Sequence, residues 1–365
     1  MSCYYISLIS AVMLYNHMVF RMSRMRLALS LTVALTGAPA FADAPKVAAD
    51  IAPVHALVAR VMEGVGAPDL IVQPGASPHE YSLRPSEAAA LQNADLVFWI
   101  GPDLTPWLGD TLETLAANAV VSALLDAPET IKLDLRENAL FEAHDHSDHD
   151  DHGDKQHADH DHEEHAHDDH AHDDHAHDEH AHDDHDDHAH GDHAHGAHDP
   201  HAWLSPRNAS NWLNVIAAQL SAADPENASL YFANAAEGRA EIETLIDTVN
   251  ATLAPVRGGE FIVFHDAYQY FEVDFDFPAA GAISLSDASD PSPARIAEIQ
   301  GRIADQAVSC VLTEPQFNPG LVATVLDGTE AQTGILDPLG SDLEPGPALY
   351  PLLIGNLATA LAACM

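Results

Sequence analysis

Three histidines stand in local contexts that suit a metal ion. His79 lies in Gly75-Ala76-Ser77-Pro78-His79-Glu80-Tyr81, His201 in Asp199-Pro200-His201-Ala202-Trp203, and His265 in Phe264-His265-Asp266-Ala267-Tyr268. His79 follows a predicted strand, His201 precedes a predicted helix, and His265 ends an apolar strand. Loops and strand ends of this kind converge on the cleft between α/β lobes. A neutral imidazole nitrogen binds zinc at about 2.0–2.1 Å, and a tetrahedral site needs a fourth ligand. Asp337, in Ile335-Leu336-Asp337-Pro338-Leu339, also follows a strand and could supply a carboxylate oxygen. Spacing alone does not separate a ligand from a structural hydrogen bonder, which a lone histidine more often is. His55, on a face of the first predicted helix, is read in that plain way.

A second kind of metal chemistry sits in one stretch. Of the 26 histidines, 21 fall between His144 and His198, with 20 acidic residues and one lysine. The imperfect unit His-Ala-His-Asp-Asp recurs at His165–Asp169, His170–Asp174 and His175–Glu179. His165, His167, His170, His172, His175 and His177 are therefore its accessory ligand candidates. No aromatic or branched side chain occurs there, so residues 143–198 read as an insertion that is disordered without metal. Such a chain offers many weak, shifting zinc sites. Imidazole binds only when neutral, so their affinity should fall below about pH 6.5.

The elements that position these residues follow from periodicity. Short strands are expected at Val47–Ala49, Leu70–Val72 and Asp95–Ile100, with helices at Pro53–Gly64 and Arg84–Asn93. Beyond the insertion, helices are expected at Asn208–Leu220 and Pro225–Leu253. The latter carries Ile242, Leu245, Ile246, Val249 and Leu253 on one face. Alternation then restarts with strand Phe261–Phe264, helix Ala267–Phe271, helix Pro293–Gln306, strand Val308–Thr313, and helices Pro319–Leu326 and Leu349–Ala363. The fold class is α/β: two Rossmann-like lobes, residues 43–224 and 254–365, joined by one long helix at 225–253.

Charge and termini narrow the class. The formal charge of −43 repels phosphate backbones, which argues against nucleic acid, and attracts cations. Arg24 and Arg26, the apolar run Leu27–Leu35 and Ala40-Phe41-Ala42 read as an export signal over residues 1–42, with Met22 or Met25 as alternative starts. Cys3 falls in that segment. Cys310 and Cys364 remain, an even pair in an oxidising compartment, which favours a disulfide over isolated thiolate ligands.

The chain resembles the substrate-binding proteins of bacterial zinc-uptake ABC transporters, the ZnuA type. The resemblance is carried by Gly75–Tyr81 with Arg84-Pro85-Ser86, Asn93–Val97, Asp199–Pro206, Phe264–Phe271, Glu314-Pro315-Gln316-Phe317 and Leu336–Gly340, in family order. It implies two α/β lobes bridged by a rigid helix, a metal site in the cleft between them, and His79, His201 and His265 as ligands. It also implies a Cys310–Cys364 disulfide, a periplasmic location, and delivery of Zn²⁺ to a membrane permease with its cytoplasmic ATPase. Manganese and iron members usually carry Glu where this chain has His265, and three imidazoles suit Zn²⁺ better than Mn²⁺. Some zinc members place Glu before the first ligand, where this chain has Pro78. The fourth ligand therefore stays open between Asp337, which is favoured, a water and Glu80. A monomer is expected.

The rival readings are a periplasmic zinc buffer, a manganese-binding homologue and a secreted zinc hydrolase. No H-E-x-x-H, G-x-S-x-G or phosphate-cradling glycine loop occurs in the sequence, so an enzyme is disfavoured. Deleting residues 143–197 should lower the zinc bound per chain while leaving one tightly held ion, measured by metal analysis after dialysis. Loss of that last ion would place the main site in the insertion.

Overall fold

A computed structural model of the chain describes residues 44–136, 141, 198–285, 291–317 and 319–365. The export signal expected over residues 1–42, and His165, His167, His170, His172, His175 and His177, lie outside the described residues.

The first sheet is built by β1 (Val47–Ala49), β2 (Asp69–Leu70), β3 (Leu96–Trp99) and β4 (Val120–Ala123), with α1 (Ala52–Val61), α2 (Pro85–Asn93) and α3 (Pro106–Leu115) between them. Each of these helices opens with proline in its first turn, where a missing N–H has no helical partner to lose. All pairings are parallel, in the order β2-β1-β3-β4. Next come α4 (Pro206–Ala223) and α5 (Ala228–Leu253). The second sheet holds β5 (Phe261–His265), β6 (Gly281–Ser284), β7 (Cys310–Thr313) and β8 (Gln332–Ile335), interleaved with α6 (Gln269–Phe275), α7 (Pro293–Asp305) and α8 (Pro319–Leu326). Its order, β6-β5-β7-β8, repeats the first, again all parallel. α9 (Leu349–Cys364) follows. In each sheet the chain turns one way from the first strand and later returns on its other side. The crevice at such a switch point opens at the carboxyl ends of β1 and β3, and of β5 and β7.

α5 has 26 residues, hence a length of about 39 Å at 1.5 Å per residue. Its buried stripe of Tyr231, Ala235, Gly238, Ile242, Leu245, Val249 and Leu253 recurs at helical spacing and packs on α4, α1 and α9. Gly238 permits the close approach. A Cβ there would stand 3.0 Å from Leu213 Cδ1 and 3.2 Å from Arg60 Cγ. The preceding turn, Pro225–Asn227, is 3₁₀ rather than α, and Asp224 holds it by accepting Asn227 Nδ2 at 2.7 Å and the Tyr231 hydroxyl at 2.8 Å. The helix expected at Ala267–Phe271 instead spans Gln269–Phe275. Ala267 N donates back to His265 O at 2.9 Å, so a tight turn delays its start.

One continuous cluster of buried side chains runs through both lobes and includes Phe98, Trp203, Trp212, Tyr268, Phe271, Leu336 and Tyr350. Trp203 joins the lobes: its indole N–H donates to Pro338 O at 2.8 Å, and its carbonyl accepts the Tyr350 hydroxyl at 2.9 Å. Cys310 and Cys364 form a disulfide with Cα atoms 5.7 Å apart, tying the end of α9 to β7. Gly334 on β8 leaves the room this needs, since a Cβ there would meet Leu312 Cδ2 at 2.9 Å and Cys364 Sγ at 3.5 Å. Among the described residues, no helix is long and apolar enough to cross a membrane.

Replacing both cysteines by serine should lower the unfolding free energy by roughly 2–4 kcal/mol, as expected for a native cross-link closing a long loop. A urea titration followed by tryptophan fluorescence measures it.

Candidate metal centre

The three singled-out histidines come together. The His79 and His201 ring centroids are 5.6 Å apart, and those of His201 and His265 are 5.3 Å apart. His201 and His265 are buried, while His79 is half-buried. Two come from the first half of the fold and one from the second sheet.

Each has its own positioning device. His79 rides on the loop between β2 and α2. That loop is fixed by Trp107 Nε1 donating to Pro78 O at 2.8 Å and by the Tyr81 hydroxyl donating to Glu87 Oε1 at 2.8 Å. Within it, Ser77 Oγ accepts His79 N at 3.2 Å. His201 precedes the 3₁₀ turn Ala202–Leu204, whose three side chains are all buried. Asp199 Oδ1 accepts both the backbone N of His201, at 2.9 Å, and its ring, with Nδ1 at 2.8 Å. His265 is the last residue of β5, at the switch point of the second sheet, and its Nδ1 pairs with Glu314 Oε1, just beyond β7. Gln316 Nε2 steadies Glu314 by donating to Oε2 at 2.8 Å.

These carboxylates decide the tautomer. An imidazole that donates from Nδ1 carries its lone pair on Nε2, and a carboxylate partner raises that nitrogen's basicity. Asp199 and Glu314 therefore fix the planes of two imidazoles and raise the basicity of their Nε2 nitrogens. Burial pushes the Asp199 carboxyl up to about 7, against the opposing pull of the His201 N–H and of the Arg136 and His265 charges. Burial likewise raises Asp266 to about 7, with Arg136 opposing and Asp199 and Glu272 adding to the rise. Gln269, with its amide nitrogen turned inward, donates to Asp199 Oδ2 at 3.0 Å.

Asp337 has both carboxylate oxygens engaged in the turn that follows it. Its Oδ1 accepts Leu339 N and Gly340 N, both at 3.0 Å, and its Oδ2 accepts Ser341 N and Oγ, both at 2.6 Å. It shapes the turn that presents Pro338 O to Trp203, and binding an ion would require it to give up at least one of these donors. Glu80 is exposed next to His79. His55 keeps its plain role: its Nε2 pairs with Pro68 O at 3.0 Å, away from the cluster. Among the described residues, no group of three or more His, Cys, Asp or Glu side chains is already closed around one point. The rings converge in series, and small ring rotations would have to complete a site. Asp199 and Glu314 escape a reading of the chain for ligands because their work is done through histidines. An acidic residue two positions before a histidine is the only local signal, and Glu314 stands 49 residues from its partner.

A family model described as "Zinc-uptake complex component A periplasmic" matches residues 47–364. The high-affinity zinc uptake system protein ZnuA of Brucella abortus (strain 2308) is 49% identical over 319 residues, covering 87% of this chain and 91% of its own. Its counterpart in Paracoccus denitrificans (strain Pd 1222) is 45% identical over 340 residues, covering 93% and 97%. A crystal structure of ZnuA superposes with a TM-score of 0.64 at 20% identity, covering 88% of this chain and 99% of that one, which supports the two-lobed α/β fold.

Asp199→Asn and Glu314→Gln should each weaken zinc binding by roughly 10–100-fold, the usual effect of losing a carboxylate behind a ligand histidine. Competition with a chromogenic chelator measures this. Unchanged affinity in both variants would show that the imidazoles need no such orientation.

Proposed function

The chain belongs to the family of periplasmic zinc-uptake components, and from that premise we propose that His79, His201 and His265 seize Zn²⁺ between the lobes for delivery to the membrane permease of an ABC importer. The observation that carries this reading is the meeting of three imidazoles from two lobes, two of them held by buried carboxylates. The ion is cargo, so the site must hold it and later let it go.

The donor chemistry favours zinc. Neutral imidazoles are borderline donors that suit Zn²⁺, whereas Mn²⁺ prefers carboxylate and carbonyl oxygen. Asp337, a water or Glu80 supplies the fourth position, and Asp337 can do so only by loosening its own turn. The continuous core between the lobes and the long α5 favour small tilts and ring rotations over wide closure. Release is then driven from outside, by docking on the permease. The protein acts as a monomer and as a carrier rather than a catalyst, after removal of residues 1–42. The histidine-rich insertion gathers or senses zinc and shares it with the cleft.

Purified protein lacking residues 143–197 should take up one Zn²⁺ per chain and prefer it to Mn²⁺ by orders of magnitude. Calorimetric titration with each metal measures this, and His201→Ala should abolish the tight site. A manganese preference in this form would overturn the assignment.

A further inference from the structure

Arg136 makes an unusual set of contacts for a residue of the first lobe. Its Nη2 donates to Glu272 Oε2 at 2.7 Å, and its Nη1 reaches Glu272 Oε1 at 3.3 Å and Asp266 Oδ1 at 3.0 Å. Both carboxylates belong to the second lobe, Asp266 immediately after His265 and Glu272 on α6. The side chains of Arg136, Asp266 and Glu272 are 17%, 7% and 3% exposed, so the pairing is shielded from solvent. Phe141 closes over the guanidinium, with its ring centroid 3.8 Å from Cζ. Glu272 Oε2 also accepts Ala279 N at 3.1 Å, which fixes that carboxylate from its far side.

The backbone leading to Arg136 is tied to the other ligand. Leu133 O accepts Asp199 N at 2.8 Å, Asp134 forms an antiparallel bridge with His198, and Asp199 holds the His201 ring. The Tyr270 hydroxyl, from α6, accepts Leu133 N at 3.0 Å and donates to Asp199 O at 2.9 Å. One short segment, Leu133–Arg136, therefore grips the support of His201 with its backbone and the neighbour of His265 with its terminal side chain.

We propose that Arg136 is a positioning residue that latches the two lobes around the captured ion and sets how fast the ion leaves. The proposal rests on the reading of the cleft as the zinc site. Only a planar fork can hold both oxygens of Glu272 and an oxygen of Asp266 together; an ammonium would satisfy the charge without the geometry. Its charge acts in the opposite sense, since a cation near the cleft repels Zn²⁺. Loss of the fork should speed release, whereas loss of the charge alone should slow it.

The test is stopped-flow transfer of zinc from the full-length loaded protein to a fluorescent chelator. The slow phase is assigned to the cleft by its disappearance in His201→Ala. Arg136→Lys keeps the charge and loses the fork, and should raise the slow-phase rate by about tenfold or more, as truncating a buried ion pair raises dissociation rates. Glu272→Gln should also raise it, and the double variant should be no faster than Arg136→Lys, in which the Glu272 pairing is already lost. Melting of the zinc-free variants checks folding, and either single variant that folds suffices. A slow phase indifferent to Arg136→Lys and Glu272→Gln overturns the latch. An unaltered protein with no slow phase overturns the cleft reading itself, a different failure from the first.

Discussion

Three imidazoles carried by two lobes can share an ion only if the lobes keep one spacing. Metal–nitrogen distances tolerate a few tenths of an ångström, and side-chain rotation takes up little more. The lobes are therefore not independent bodies with a soft hinge. Their side chains form one core, Trp203 is bonded to the second lobe through both its indole and its carbonyl, and α5 packs on helices from both halves. Everything at the cleft inherits its precision from that shared interior.

The polar groups near the cleft work against stability. Burying Asp199, Asp266, Glu272 and Glu314 removes carboxylates from water, and only charge-assisted hydrogen bonds offset that cost. The two switch points of the fold make the comparison plain. In the first sheet, Asp50 follows β1, and its carboxylate accepts Ile51 N and Ile100 N, both at 2.8 Å, tying β1 to the end of β3. In the second sheet the same location holds the His265–Glu314 pair. One crevice is sealed by a backbone-capping carboxylate; the other keeps a carboxylate to aim an imidazole.

Much of this was legible in the chain. Strand–helix alternation announced the α/β class, and the contexts of His79, His201 and His265 singled them out before any geometry was known. Their helpers were not legible. Arg136 lies 130 residues from Asp266 and 136 from Glu272, and no local pattern encodes such a pairing. α3, β4 and β6 escaped the periodicity for simpler reasons. Val120 and Val121 in β4 are exposed, so the strand lacks the signature of a buried run, and Gly281-Ala282-Ile283-Ser284 is too small and mixed to stand out. The favoured fourth ligand, Asp337, shows the limit of reading by type: an aspartate after a strand can as readily shape a turn, which is where its oxygens are engaged.

The placement of α9 bears on how the molecule is born. This helix packs on α1 and α5 and is cross-linked to β7, so the last helix in sequence order completes an interior begun by the first. Contacts so remote along the chain form late, because loop closure must precede them. The first lobe alone would leave apolar helix faces uncovered, and a partly synthesised chain has no finished core to settle into. Such a polypeptide cannot close its shared interior until its final segment arrives, so the two lobes and the cleft between them are completed in one late step.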